Sequence, residues 1–423
     1  MLRPRRPKTT TEYSDSEKDV DIQAGLRLAH RAIVNGPKPS RSSPIPWNIV
    51  VPTHRRERAM EGLLMGCAVA EALSLARNGI HPRTGLKLFG RNPLNFQFQP
   101  GVGVTSHRTH ALLMTVQAML KSKTDPKIFA PILKRKIAWY QRAFPFRHTL
   151  IHFKRMFEQF GSSERDESLT VGLADDPLAR SLVLSIMLQG VADSASMWFQ
   201  LSSSISHPDS RALHASTLVG FAAQLAQMTD QQSFEPREIV GRLISVTDQP
   251  ELKEMLVDVD TSLSQNKSLA SFARQQGWAN GLPSDVFASA IIGIYAWMRH
   301  PKRFRNCVER TILLGGQCSG GAVIAGSLSG ISLGMKGIPT DWLRKTTFYP
   351  HSNRWREELI ERVKDWPHGV DDIHKTLGLP SSIFGQLARN MSFSAFRLIH
   401  GLIRIPMKLT QFSVKKWARK STR

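Results

Sequence analysis

Two stretches of the chain place small residues at every fourth position. They are Gly62, Gly66, Ala70 and Ser74 in the first, and Gly326, Gly330 and Gly334 in the second. An α-helix turns once in about 3.6 residues, so residues four apart lie on one face. A face of Gly, Ala and Ser carries little side-chain bulk, and a second backbone can approach it closely. The pattern is best known in membranes but serves equally in a soluble core. The spacing predicts two helices that cross at the centre of the fold. It constrains packing and by itself says nothing of chemistry.

The surrounding pattern is helical almost throughout residues 55–387. Apolar residues recur at three- and four-residue spacing in 109–120, 180–191, 213–226 and 285–298. Alternating β-branched runs bounded by turns are few, and no tandem repeat is visible, so an all-α domain is expected. One uncharged stretch, Thr311 to Met335, is long enough to raise the question of a membrane span, but its Gly and Ser content argues against one. Three domains are read from the pattern. Residues 1–54 form an N-terminal extension whose first 20 residues are polar and expected to be disordered, with one short helix over 24–34. Five prolines within 37–52 make the segment joining that helix to the core an extended linker. Residues 55–387 form the main domain, and 388–423 a basic amphipathic extension.

The charge is uneven. The chain carries a net +23, of which residues 389–423 supply nine Lys/Arg and no acid, and residues 1–58 a further 12 Lys/Arg against six Asp/Glu. The basicity therefore describes what the ends touch rather than the centre. Three scattered cysteines, Cys67, Cys307 and Cys318, suit neither a disulfide framework nor a zinc site and point to a reducing compartment. The charged opening lacks the apolar segment of a secretory signal, so a cytoplasmic location is expected, peripheral to a membrane if the tail binds lipid.

Four segments, in order, resemble the ADP-ribosylglycohydrolase family, including the dinitrogenase reductase-activating type. EGLLMGCAVAEALSLARNG (61–79) resembles the family's opening helix, G-x-x-x-G-x-A-x-G-D-A-x-G followed by Glu. GVTSHRTHALLMTVQAML (103–120) is similar to its T/S-D-D-T motif and the helix after it, and DDPLARS (175–181) to its N-G-P-A-M-R-S. LGGQCSGGAVIAGSLSGISLGMKGIP (314–339) aligns without a gap on G-G-D-T-D-T-x-x-A-I-x-G-A-x-x-G-A-x-x-G-x-x-x-I-P. The resemblance spans residues 55–343, and the bacterial branch with a long variable C-terminus fits best. It implies an orthogonal helical bundle around two Mg²⁺ or Mn²⁺ ions that organise hydrolysis of an ADP-ribose linkage. Two dications about 4 Å apart need several carboxylates to hold them.

None of the five implied carboxylates is present. The family's Glu falls on Asn78. The first Asp pair falls on His107 and Arg108, flanked by Ser106 and Thr109, and the second on Gln317 and Ser319, with Cys318 and Gly320 in place of the threonines. A fixed guanidinium at Arg108 repels cations. No metal cofactor is expected, and catalysis is expected to be lost. Three carboxylates nearby, Glu71, Asp175 and Asp176, could support a relocated metal and a rebuilt hydrolase; otherwise Glu71 is a buried, paired helix residue and the two aspartates cap the helix starting near Pro177. Positive charge at His107 and Arg108, with backbone N–H groups of Gly315, Gly316, Gln317, Cys318 and Ser319, could hold a diphosphate of ADP-ribose or a related nucleotide, or a protein partner. Alternatively, Arg108 pairs with Glu71 or an aspartate and fills the cavity. Cys318 with His107 could form a nucleophile and base, though a buried inert thiol is commoner. His207, within Ser206-His207-Pro208-Asp209, is read as structural; His81 and His110 show no partner pattern. The basic tail, with Phe393, Phe396, Leu398, Ile399 and Leu402 among its apolar residues, suits an anionic membrane surface or nucleic acid, or docks its apolar face on the domain and leaves its Lys/Arg side solvated. Pro406 is expected to break or kink any helix there.

Overall fold

The computed structural model describes residues 52–91, 93–142, 176–190, 195–228, 234–364, 366–367, 379 and 382–420, the last segment with side chains to 401. The expected helix at 24–34, most of the Pro-rich linker and Asp175 lie outside the described residues. The helices are α1 (Thr53–Ser74), α2 (Pro82–Phe89), α3 (His107–Ser122), α4 (Pro126–Arg142), α5 (Asp176–Leu188), α6 (Ala195–Ser204), α7 (Ser210–Met228) and α8 (Pro236–Ser245). They continue with α9 (Pro250–Ser264), α10 (Leu269–Gln275), α11 (Val286–Arg299), α12 (Phe304–Ile312), α13 (Cys318–Leu333), α14 (Thr340–Lys345), α15 (Asn353–Lys364) and α16 (Ile383–Lys420). Two short strands, β1 (Gly103–Val104) and β2 (Thr346–Thr347), pair in parallel. The fold is all-α, as the pattern predicted. Each of the four periodic segments falls on a helix, although 180–191 runs past the end of α5 at Leu188.

Helix α13 is the axis: all of its residues are buried, and α1, α11, α12 and α7 pack around it. Its uncharged sequence, which raised the question of a span, is the signature of a helix enclosed on every side by protein. Among the described residues no helix is long and apolar enough to cross a membrane. The predicted crossing of the two small-residue stripes is the tightest contact in the fold. A Cβ on Gly62 would lie 1.9 Å from the carbonyl oxygen of Gly330, and one on Gly66 would lie 2.3 Å from that of Gly326. Helix α13 ends at Gly334, whose φ of +67° and N–H bond to Gly330 O at 2.7 Å close the last turn.

The C-terminal extension departs from expectation in two ways. Helix α16 starts at Ile383, so the expected boundary at 387/388 falls inside it. It also runs on past Pro406: proline withholds one N–H from the ladder, and the helix continues across the gap. Its first half docks on the domain. Phe393 packs on Phe98 with ring centroids 5.0 Å apart, and His400 stacks on Phe98 at 5.0 Å while its Nε2 meets Phe98 O at 2.8 Å.

Candidate functional site

Along one face of α1 and the turn after it lie Cys67, Glu71, Ser74 and Asn78, and the N-terminal ends of α3 and α13 abut that face. The first turn of a helix leaves N–H groups without intrahelical partners. Ser106, at the N-cap of α3, makes no capping bond with its own side chain. Glu71 caps the helix instead. Its wholly buried carboxylate accepts the N–H groups of Ser106 at 2.8 Å, Arg108 at 3.1 Å and Thr109 at 3.2 Å, and the hydroxyls of Ser106 at 2.5 Å and Thr109 at 2.7 Å. The guanidinium of Arg108 lies 4.0 Å away. A carboxylate at a helix N-terminus is favoured both by the dipole and by these donors.

The N-terminal end of α13 meets the same helix through neutral groups. Asn78 donates from Nδ2 to Gln317 Oε1 at 3.1 Å and accepts the Ser319 N–H on Oδ1 at 3.0 Å. The hydroxyls of Ser74 and Ser319 are 2.6 Å apart. Three of the five positions where the resemblance implies carboxylates thus bond to one another. The Gly-rich turn before α13 is a junction of the chain. Gly315 and Gly316 have φ of +68° and +64°, which bends the backbone between two neighbouring segments. Gly316 N–H donates to Ile80 O, Gln317 N–H to Leu282 O and Gly315 N–H to Ile312 O, while Gly316 O accepts from Gly79. The donors of Gly315, Gly316, Gln317 and Ser319 that were expected to suit a phosphate are therefore engaged within the chain, because the turn must join three segments at once. Cys318 is wholly buried in the first turn of α13.

The third part of the centre is basic. His107, partly exposed at the start of α3, has Nε2 3.6 Å from Asp176 Oδ1 at the start of α5. Burial, reinforced by the charges of Arg108, Arg397 and Arg389, holds the imidazole well below its ordinary pKa. A neutral ring therefore faces the Asp176 carboxylate, and the pair is a polar contact rather than an ion pair at pH 7. Arg389 comes from α16. It donates to Tyr140 Oη at 3.1 Å, to Asn390 Oδ1 at 2.8 Å and to the Thr105 carbonyl just ahead of α3. Sequence reasoning missed Arg389 and Arg397 as parts of the centre: they lie among the basic residues of the tail, nearly 300 residues from α3, and no local pattern marks them.

Neighbouring polar groups are structural. Arg180, on α5, is wholly buried and donates to the hydroxyl and carbonyl of Ser202 and to Ser206 Oγ. Ser206 Oγ lies 2.9 Å from His207 Nδ1, which joins His207 to this network. Of the carboxylates considered for a rebuilt site, Glu71 caps α3 and Asp176 faces His107. Among the described residues no group of three or more His, Cys, Asp or Glu side chains converges on a point as a metal site requires.

The family model described as ADP-ribosylglycohydrolase matches residues 52–370. A solved structure titled ADP-ribosylglycohydrolase-related protein complex is similar over 73% of this chain and 96% of its own, at 18% identity and a TM-score of 0.48. No curated protein matches.

Proposed function

The chain belongs to the ADP-ribosylglycohydrolase family, and from that premise we propose that it is a non-hydrolysing member. Its centre does not hold two divalent ions, and it binds the diphosphate of ADP-ribose or a related nucleotide without metal at a basic mouth formed by His107, Arg108 and Arg397. One observation carries the first half of this reading: both oxygens of Glu71, the carboxylate at the heart of the centre, already accept bonds from α3, five in all. A dication there would have to displace those donors and tolerate the guanidinium 4.0 Å away, with Asn78, Gln317 and Ser319 offering only neutral oxygens. The second half is supported by the charge around His107, where three arginines act on one partly exposed ring. An anion at that mouth is stabilised by charges that otherwise repel one another.

Calorimetric titration of ADP-ribose into the full chain, with Mg²⁺ and again with EDTA, tests both halves. The full chain is required because α16 supplies Arg389 and Arg397. Binding is expected to be indifferent to EDTA and at least tenfold weaker in Arg397→Glu, with an unchanged denaturation midpoint as the check that the fold is kept. Binding that needs Mg²⁺, or release of ADP-ribose from a modified protein, would favour the alternative of a rebuilt hydrolase.

A second reading rests on a different observation. The outer face of α16 exposes Phe384, Leu387, Met391 and Leu398, spaced so that they form one stripe on the helix. The sequence from 389 to its end carries nine Lys/Arg and no acid. An apolar stripe on a helix whose sequence is this basic fits an anionic bilayer surface better than nucleic acid, which gives an apolar face nothing to enter. Cosedimentation with phosphatidylglycerol vesicles, lost in Phe384→Glu/Met391→Glu, is the expected result. Displacement by single-stranded nucleic acid, with no vesicle binding, would transfer the tail to the nucleic-acid reading.

A further inference from the structure

A cavity of about 260 Å³ opens beside the polar centre, between α3, α4, the loop before α15 and the first turns of α16. It shares no lining residue with the mouth at His107. Its walls are aromatic and imidazole rings. His110 stacks on Tyr140 at 5.3 Å between centroids; His351, stacked on Trp355 at 3.8 Å, lies 6.5 Å from His110, and Trp139 also lines the space. His110 is 5% exposed, and its Nε2 has no hydrogen-bond partner among the described residues. A buried polar atom without a partner is costly, about 1–3 kcal/mol, and such atoms are rare unless something meets them.

One end of the cavity is cationic. Lys136 donates from Nζ to Gln117 Oε1 at 2.6 Å, and among the described residues no carboxylate lies within 4 Å of it. Arg135 also lines the space, and among the described residues no Asp or Glu does. Burial, together with the charges of Lys121 and Arg135, brings the Lys136 ammonium down to about 8. Arg389, bonded to Tyr140 behind the ring wall, adds positive potential and helps to hold His110 and His351 neutral. Flat walls, a neutral imidazole with an unmet nitrogen, and one unneutralised ammonium define complementary chemistry: a planar ring of modest size bearing one negative group.

We propose that this cavity is a binding site for an aromatic carboxylate, with the carboxylate on Lys136 and the ring between the His110–Tyr140 stack and Trp139. The assignment is independent of the mouth at His107 and goes beyond the family's chemistry there. A carboxylate paired with Lys136 offsets its desolvation and restores its pKa toward that of an ordinary lysine. The imidazole nitrogen of His110 supplies a donor or acceptor to a ring substituent, which makes a hydroxy- or amino-substituted ring the better fit.

The probe is 2-naphthoate, set against its neutral analogue 2-naphthamide, titrated calorimetrically into the full chain. Naphthoate is expected to bind with submillimolar affinity. Lys136→Met, which keeps the aliphatic stem and removes the charge, should weaken naphthoate at least tenfold and leave naphthamide within about twofold. Gln386→Trp, which fills the cavity from α16, should abolish both. Reductive methylation followed by mass spectrometry needs no variant: naphthoate should protect Lys136 in the native chain and leave exposed lysines unprotected. Absence of binding at millimolar probe, equal weakening of both probes in Lys136→Met, binding that survives Gln386→Trp, or methylation of Lys136 unaffected by naphthoate would each overturn the assignment.

Discussion

The contact between α1 and α13 has two halves that obey different rules. Toward one end, Gly62 and Gly66 meet Gly330 and Gly326 with backbone against backbone. Toward the other, Ser74 meets Ser319, and just beyond the helix Asn78 meets Gln317 through polar side chains. The glycine half has no freedom, because any side chain there collides with a carbonyl that is itself tied into a helix. The polar half is held by neutral groups that bond to one another, where the resemblance implies carboxylates. Packing that depends on the absence of atoms tolerates no replacement, whereas a polar junction survives substitution provided its donors and acceptors remain matched.

The sharpest break in that comparison is a methyl group in the glycine half. Gly62→Ala places Cβ 1.9 Å from a carbonyl oxygen, which only separation of the two helices can relieve. Overpacking of this kind costs about 3 kcal/mol or more. The expected outcome is an insoluble chain, or a chemical-denaturation midpoint that collapses. The same change at Gly241, where a Cβ would meet nothing within 4 Å, should be neutral or slightly stabilising, because α8 gains helix propensity.

Next in size is Glu71→Ala in the polar half. It removes one residue yet leaves three backbone N–H groups and two hydroxyls at the start of α3 without their acceptor. A loss of about 3 kcal/mol is expected, read as a lower denaturation midpoint at pH 7. Glu71→Gln, which keeps one acceptor oxygen, should lose roughly half as much. A Glu71→Gln chain as stable as the native one would mean that the carboxylate is not the cap described here.

These two sites differ in how far the sequence announces them. The glycine crossing is legible because helical geometry alone converts a four-residue spacing into a face, and four of the periodic segments mark the helices that surround it. Which residues stand where the resemblance implies ligands is legible from the sequence. Their partners are not. Nothing local says that Glu71 caps a helix 35 residues downstream, since a trans cap depends on where two helix ends meet. The tail was harder still. Docking of its apolar face on the domain is one of the readings the sequence offers, and Phe393 and His400 do seat it on Phe98, but the sequence does not show that this carries Arg389 against Thr105. Long-range docking leaves no periodic trace beyond an amphipathic face.

Acid distinguishes the halves as well. The glycine crossing contains no titratable group, whereas the region around the polar half contains His107, His110 and His351, all held below their ordinary pKa first by burial. For His351 the folded value is about 4 against 6.5 when unfolded. The unfolded chain therefore takes up the proton first. The contribution of His351 is complete above pH 6.5 and declines as pH falls toward 4, by about 1–2 kcal/mol between pH 6.5 and 5. Thermal melts across that window should shift less in His351→Gln than in the native chain. A parallel shift in both would place the acid sensitivity elsewhere, with His300, also lowered to about 4, as the next group to change.

The smallest effect lies at the hydroxyl pair that joins the two helices in the polar half. Ser319→Ala removes one member of the 2.6 Å contact, but Ser74 Oγ keeps a bond to the Glu71 carbonyl at 2.8 Å, so no buried hydroxyl is orphaned. The expected cost is about 1 kcal/mol or less. Ser74→Ala should cost more, about 1–3 kcal/mol, because it leaves the wholly buried Ser319 hydroxyl without the partner it has in the native chain. A double-mutant cycle on the pair isolates their coupling, which should be well under the cost of a single methyl at Gly62. If the coupling instead approached that cost, the polar half would be as intolerant of change as the glycine half.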